Sequence, residues 1–405
     1  MPSVPGTSSC SRGTSKETTG PTVRPSRGAR MSEQKNTAEM LVIGGGVIGT
    51  SIAYHAAKAG VDVVLVEKNQ FGSRTTSQTA RAFRTYFPRK PHDSELATRS
   101  LAEFRQFAAD TGVDVGLQDL GLLTILTSPQ QAAELEADLA DHREAGAAVE
   151  MITAARAVEL NPWLDPDTIE AAVWNPATYR IKPEAIVRGY AEAAERHGAR
   201  LYSQVSVTGI DADSGVVTTT AGDFTAESIV IAAGPFSGDV AKLAGLDLPV
   251  WGQFAELLHS DPVRTDRDIH NLPFTFHPVS GLKTMGMGKA VLVGLERISK
   301  QDGLRDIWYQ AAVDELPKWY PQLEGLTLHS AWTGTLDVTP TKSAIIGKGS
   351  GKHERILFAA GFTGHGLAQA PLAGQIVRDL HLGKSPGVDL TPYSLATNLA
   401  RLEAF

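Results

Sequence analysis

The sequence predicts a two-domain α/β (α+β) protein, with one domain on a Rossmann-like sheet and the other on a mixed sheet inserted into it. Three observations predict this. Strands alternate with helices near both ends of the 405-residue chain, the middle is rich in strand-like segments, and a glycine-rich turn follows a buried strand at 39–43 and again at 355–360. Strand–helix alternation builds a parallel sheet with helical crossovers, whereas a run of strands builds a sheet of its own.

The first turn carries the most information. Residues 39–49 read Glu-Met-Leu-Val-Ile-Gly-Gly-Gly-Val-Ile-Gly, a helix-like run continues to Gly60, and Val-Asp-Val-Val-Leu-Val-Glu ends at Glu67. This strand, glycine turn, helix, strand and acid form a dinucleotide-binding fingerprint in full context. Gly44 permits the tight turn, Gly46 lets backbone N–H groups approach a pyrophosphate, and Gly49 lets helix and strand pack closely. The helix start, with Val47 and Ile48, supplies partial positive charge for the phosphates. Glu67 stands 23 positions after Gly44, where a carboxylate accepts the ribose hydroxyls and repels a 2′-phosphate. FAD or NAD is therefore favoured over NADP.

The remaining elements follow in chain order. Residues 71–79 are too rich in Ser and Thr for a core element, and 93–108 space Ala97, Leu101, Phe104 and Ala108 as an amphipathic helix does. Residues 121–127 read as a strand, 129–145 as an exposed helix, and 182–197 as a helix with Pro183 at its start and Gly198 at its stop. Short strands are expected around 200–220 and at 228–233. Strand-like pieces at 248–258 and 289–294 flank a less regular segment. A helix at 304–317, a strand region at 328–338, a strand at 355–360 and a helix to about 382 complete the chain.

Composition bounds the function. The chain is 42% apolar and 20% charged, and it carries a net charge of −7. Residues 1–30 hold five cations against Glu17, a net of +4, so the rest carries −11. An acidic body argues against nucleic acid or an anionic membrane as partner. Residues 1–35 lack the apolar content to bury a core and are expected to be a disordered tail, with Met31 as the expected start of translation. The one cysteine, Cys10, lies in this tail, and no segment has the apolar length of a membrane span. Scattered histidines without CxxC or HxxxH spacing predict no metal site. A cytoplasmic location is expected, and the oligomeric state stays open.

The fingerprint paired with Gly361-Phe-Thr-Gly-His-Gly366 near the other end resembles the glycine oxidase, sarcosine oxidase and D-amino-acid oxidase superfamily of FAD enzymes. Further matching pieces begin at Tyr179, Ala232 and Thr339, so the resemblance spans about 38–385. It implies a FAD-binding Rossmann-like ββα domain at 36–112, 178–247 and 336–405, and a mixed-sheet substrate domain at 113–177 and 248–335. It also implies that Gly361, Gly364, His365 and Gly366 neighbour the flavin, and that Val207 contacts adenine through its backbone. Lys68, Ser77, Gln78, Ala233 and Gly234 are implied along the cofactor. In the sarcosine oxidases a Gly-Ser start leads to Arg-x-x-Arg, as Gly72-Ser73 here leads to Arg81-Ala-Phe-Arg84. The resemblance places Arg81 near the flavin and gives Arg84 the substrate carboxylate, a task suited to a planar, permanently charged fork. Surface charge, as at Arg74 and Arg89, is the competing reading of both.

The departures are as informative. Gly334 stands where some relatives attach flavin through Cys, and Ser77 and Gln78 stand where others use His, so FAD is expected to bind non-covalently. Leu292 replaces a lysine that helps oxygen accept electrons, with Lys283 and Lys289 nearby as substitutes or, in the competing reading, as solvent-facing lysines, and Ala368 replaces a carboxylate-binding lysine. His365 is the best-placed titratable group, with a loop-stabilising role as its alternative. His277 and Trp332 are expected to contribute to the substrate pocket. The leading expectation is oxidation of an amine or amino acid to an imine, with electrons passing to O2 or another acceptor. A 2-hydroxy acid oxidase using His365 or His277 as base, and a catalytically inert flavin-binding subunit, stay open beside it.

Overall fold

The run Thr37–Ile43 contains Met40, Leu41 and Val42, all without exposure, as befits a strand covered on both faces. In the computed structural model, which describes residues 36–265, 269–295 and 305–403 except the side chain of Trp332, this strand is central to an eight-stranded sheet. Gly222–Ile231 and Val63–Glu67 flank it in parallel. Arg200–Ser203 adds beyond Val63–Glu67, and Ile356–Ala360 pairs with the end of Gly222–Ile231. Antiparallel partners complete the sheet: Ile345–Lys348 along Ile356–Ala360, and the meander of Val207–Asp211 and Val216–Thr219. The expected tail, Cys10 and Met31 lie outside the described residues.

Four helices cover one face: Val47–Lys58, Pro91–Thr111, Pro183–Arg196 and Gly366–His381. Tyr54, Phe107, Tyr190 and Ile376 interlock beneath them, all essentially without exposure. Each large apolar side chain removed from water contributes about 2 kcal/mol. The two helices that follow the glycine-rich turns pack directly against each other, where the Ser51 hydroxyl donates to the carbonyl of Ala370 at 2.7 Å.

A second eight-stranded sheet runs Leu328–Val338, Trp251–Ser260, Ala290–Gly294, Leu282–Met287, Phe274–His277, Leu122–Leu126, Ala171–Asn175 and Glu150–Thr153. It is antiparallel apart from the pair Phe274–His277 and Leu122–Leu126. Arg305–Trp319 packs Trp308, Ala312 and Leu316 into one of its cores. A third, three-stranded sheet joins Ala82–Arg84, Thr178–Arg180 and Gln118–Asp119.

Two expectations shift. The segment expected to be less regular holds the hairpin Phe274–His277 and Leu282–Met287, whose short strands mix Thr, His, Lys and Gly with their apolar residues. The strand expected at 228–233 begins at Gly222. Its first half alternates buried Phe224 and Ala226 with exposed Asp223, Thr225 and Glu227, a period of two that precedes the apolar run.

Candidate functional site

The parallel strands of the first sheet end together, and a cavity of about 920 Å3 opens beyond their carboxyl ends, lined by Ile43, Glu67, Ala232 and Ala359. This is where open α/β sheets bind ligands. Its far wall comes from the second sheet, through Ala255, Leu257, Phe276 and Lys283.

Backbone geometry builds the near wall. Gly44 has φ +113°, and any side chain there would run into the carbonyl of Ala232. At Gly49 a side chain would strike the carbonyl of Gly44, so the helix sits against the turn only because both positions are glycine. Gly44, Gly46, Val47 and Ile48 line the cavity, whereas Gly49 lies behind them. Glu67 is pinned at the strand end: Oε2 accepts from the Gly45 N–H and Oε1 from the Asn69 N–H, both at 2.7 Å. A carboxylate has about four acceptor positions, so two remain for hydroxyl donors. Lys68 stacks its ammonium 3.3 Å above the Phe236 ring and, with Val207, Ala233 and Gly234, extends this wall. Burial, reinforced by Arg74, lowers the Lys68 pKa. A narrow glycine turn, a helix start and a fixed acid in one cleft fit an adenine dinucleotide.

Side chains build the other wall. Pairing of Phe83 with Tyr179 drives Phe83 into the core, so strand alternation turns Ala82 and Arg84 into the cavity. Arg84 lies over the Phe87 ring at 4.6 Å, with Nη2 3.2 Å from His365 Nε2. Burial pulls its pKa down to about 10, against the pull of Asp93, so it remains a cation at neutral pH. No described carboxylate pairs with it directly, and an enclosed charge of this kind is stabilised by an anionic ligand. His365 stacks on Phe87 with ring centroids 4.4 Å apart. Burial, then Arg84, Lys90 and Lys283, push its pKa well below the usual histidine range. The ring is therefore neutral and accepts at Nε2 from Arg84, which assigns its proton to Nδ1.

The structure thus brings Arg84, His365 and Lys283 to one cavity, with Gln78, Gly364 and Gly366 also on its lining. Lys283 stands opposite Gly294 in the hairpin register, with its ammonium 5.5 Å from the Phe276 ring. Leu292 is buried beside it without reaching the cavity, and Lys289 is exposed in the turn.

Four sequence expectations move. Arg81 precedes the strand at φ +58°, and its exposed side chain pairs with Glu184 at 3.1 Å instead of facing the cavity. Ser77 is exposed and donates to the carbonyl of Arg74, whereas the buried Thr76 lines the cavity and accepts from the Val47 N–H at 3.1 Å. His277 belongs to the core of the second sheet. It bonds Tyr320 at 3.0 Å and lies against Trp319, and burial lowers its pKa to about 3. Gly361 stands just behind the lining, with its N–H donating to Asp337. Trp332 pairs with Leu257 in the strand register, and its side chain lies outside the described residues.

Sequence reasoning missed Phe87, Asp93, Glu256 and Asp337. Glu256 lines the cavity with its carboxylate held by Arg305 and Ser330. Asp337 was visible as a lone acid between Leu336 and Val338 in a strand. Its carboxylate accepts from the N–H groups of Gly361 and Phe362 at 2.8 and 3.1 Å. At Gly334 a side chain would collide with Gln78, whose Cβ fills the space. Among the described residues there is no cluster of metal-ligating side chains and no helix long and apolar enough to cross a membrane.

The residue pattern of the family described as FAD dependent oxidoreductase (DAO) matches residues 39–380. Glycine oxidase from Geobacillus kaustophilus is 28% identical over 90% of this chain and 98% of its own. Monomeric sarcosine oxidase from Streptomyces avermitilis is 25% identical over 85% and 94%. Among solved structures, L-proline dehydrogenase from P. horikoshii superposes with a TM-score of 0.81 at 22% identity, covering 92% of this chain and 99% of that one.

Proposed function

The chain belongs to the FAD-dependent oxidoreductase family, and we propose that it oxidises the C–N bond of a carboxylate-bearing amine or amino acid to an imine. The observation that carries this reading is Arg84, an enclosed guanidinium facing the cavity beside a neutral histidine and, among the described residues, without a carboxylate partner. When bound, the flavin supplies the acceptor for the electron pair of the substrate C–H bond. The near wall would hold its nucleotide through Gly44, Gly46 and Glu67, and the Gly364–Gly366 turn lines the same cavity.

Arg84 binds the substrate carboxylate through its fork, and Phe87 and His365 hold that fork in place. Phe276, Leu257 and Leu336 exclude water around the reacting carbon. An amine bound with its nitrogen lone pair exposed needs no strong base. A 2-hydroxy acid does need one, and neither histidine supplies it: Arg84 engages His365 Nε2, and His277 sits in the core. This supports the amine reading. Lys283 is the cavity cation suited to assist O2 or another acceptor.

The two-domain division given above, with 113–177 and 248–335 as substrate domain, belongs to the same proposal, as does non-covalent attachment, supported by the absence of room at Gly334. So does a cytoplasmic location, which rests on the single cysteine in the chain and which cell fractionation tests.

Anaerobic titration of the purified yellow protein tests the function. Amino acids or N-methyl amino acids bleach the flavin, and matched 2-hydroxy acids do not. Bleaching by the hydroxy acids alone would overturn the assignment, and bleaching by none would favour the inert subunit. Acid precipitation releases all the colour into solution; colour retained in the pellet would contradict non-covalent attachment.

A further inference from the structure

The C-terminal glycine turn is held by a residue that the proposed reaction does not use. Asp337 is the penultimate residue of the strand Leu328–Val338, which belongs to the second sheet, yet it binds three consecutive residues of the turn that follows Ile356–Ala360. Its Oδ2 accepts from Gly361 and Phe362, and its own carbonyl accepts from Thr363 at 2.8 Å. The side chain is buried and lines the same cavity as Gly364, His365 and Gly366. Among the described residues no cation pairs with it. Its negative charge is therefore moderated by backbone dipoles alone, while burial raises its pKa to about 6.

We propose that Asp337 is a positioning residue that fixes the flavin-side turn to the substrate sheet, and that its charge opposes reduction of the bound flavin. The first half follows from geometry. Two N–H groups donating to one carboxylate oxygen give Gly361 and Phe362 one fixed orientation, and the turn then delivers Gly364 and His365 to the cavity. The second half follows from Coulomb's law in an enclosed site. Reduction adds negative charge to the flavin, and an ionised carboxylate on the lining of the same cavity makes that charge harder to place. Arg84 and Lys283 act in the opposite sense, so the potential reflects a balance in which Asp337 is a restraining member.

The experiment replaces Asp337 with neutral acceptors and reads the flavin midpoint potential at pH 8, where a carboxyl of pKa near 6 is ionised. Asp337→Asn and Asp337→Ser each retain an oxygen for the turn. Both are expected to bind FAD within about tenfold of the wild-type affinity. Both are also expected to shift the reduction equilibrium at least tenfold toward the reduced flavin, about 30 mV more positive for a two-electron couple. An unchanged or more negative potential in a FAD-loaded neutral variant overturns the proposal. Asp337→Glu keeps the charge and decides the matter if the neutral variants fail to fold. Its potential should stay within threefold of wild type in the same equilibrium, and a positive shift of tenfold there overturns the proposal as well. These readings need no substrate turnover, so a failed amine assignment leaves them intact.

Discussion

The two walls of the cavity are made differently. The nucleotide side is a backbone construction: Gly44 and Gly49 let main chain meet main chain, and Glu67 is fixed by two backbone N–H groups. The other side is a side-chain construction, in which Arg84, His365, Lys283 and Asp337 come from four separate stretches of sequence. A backbone wall tolerates almost no change of shape. A side-chain wall can change its chemistry while the fold stays the same, which suits a fold shared by solved structures of both a glycine oxidase and a proline dehydrogenase.

That contrast is sharpest at Gly49. Gly49→Val places a branched side chain against the carbonyl of Gly44. It should destabilise the protein by about 3 kcal/mol or more, with loss of bound flavin. Thermal melting and absorbance of the purified protein check this, and a yellow variant of wild-type stability would break the distinction between the walls. Arg84→Ala should leave flavin content unchanged but raise the half-saturating concentration of carboxylate-bearing substrates roughly a hundredfold, the weight of about 3 kcal/mol of charge-assisted hydrogen bonding. Anaerobic flavin bleaching against substrate concentration measures it, and an unchanged curve removes Arg84 from the site.

Glu67→Gln keeps the shape and loses the charge. It should weaken FAD affinity about tenfold by equilibrium dialysis, with no effect on substrate saturation once the variant is loaded. The smallest effect is expected from His365→Asn on the pH profile. His365 is neutral because its folded pKa lies well below the ordinary value, so its charging falls on the acid side of the working range. Asn keeps an acceptor for Arg84. The turnover rate falls, yet the limbs of kcat/KM against pH should stay within about half a unit of wild type. Loss of the acidic limb would restore His365 as a titrating group.

The same contrast explains what the sequence disclosed. Gly44, Gly49 and Glu67 were legible because local backbone geometry requires those residues at that spacing. Arg84 was legible only through resemblance, since nothing local distinguishes it from Arg81. The difference lies in the strand Ala82–Arg84, whose alternation turns one arginine inward while the other stands ahead of it in solvent. His277 misled because a histidine among aromatics reads alike whether it lines a pocket or fills a core; Trp319 and Tyr320, more than forty residues away, decide it. Asp337 escaped because its partners arrive from a turn 24 residues later. Long-range pairing of this kind leaves no periodic trace.

The space at Gly334 has a historical implication. Gln78 already occupies the volume that a side chain at 334 would need, so a single codon change to cysteine meets a collision before it meets a flavin. A lineage moving toward a tethered coenzyme on this scaffold would have to remove the Cβ of residue 78 first, which only glycine does, and directed evolution toward that end should begin there.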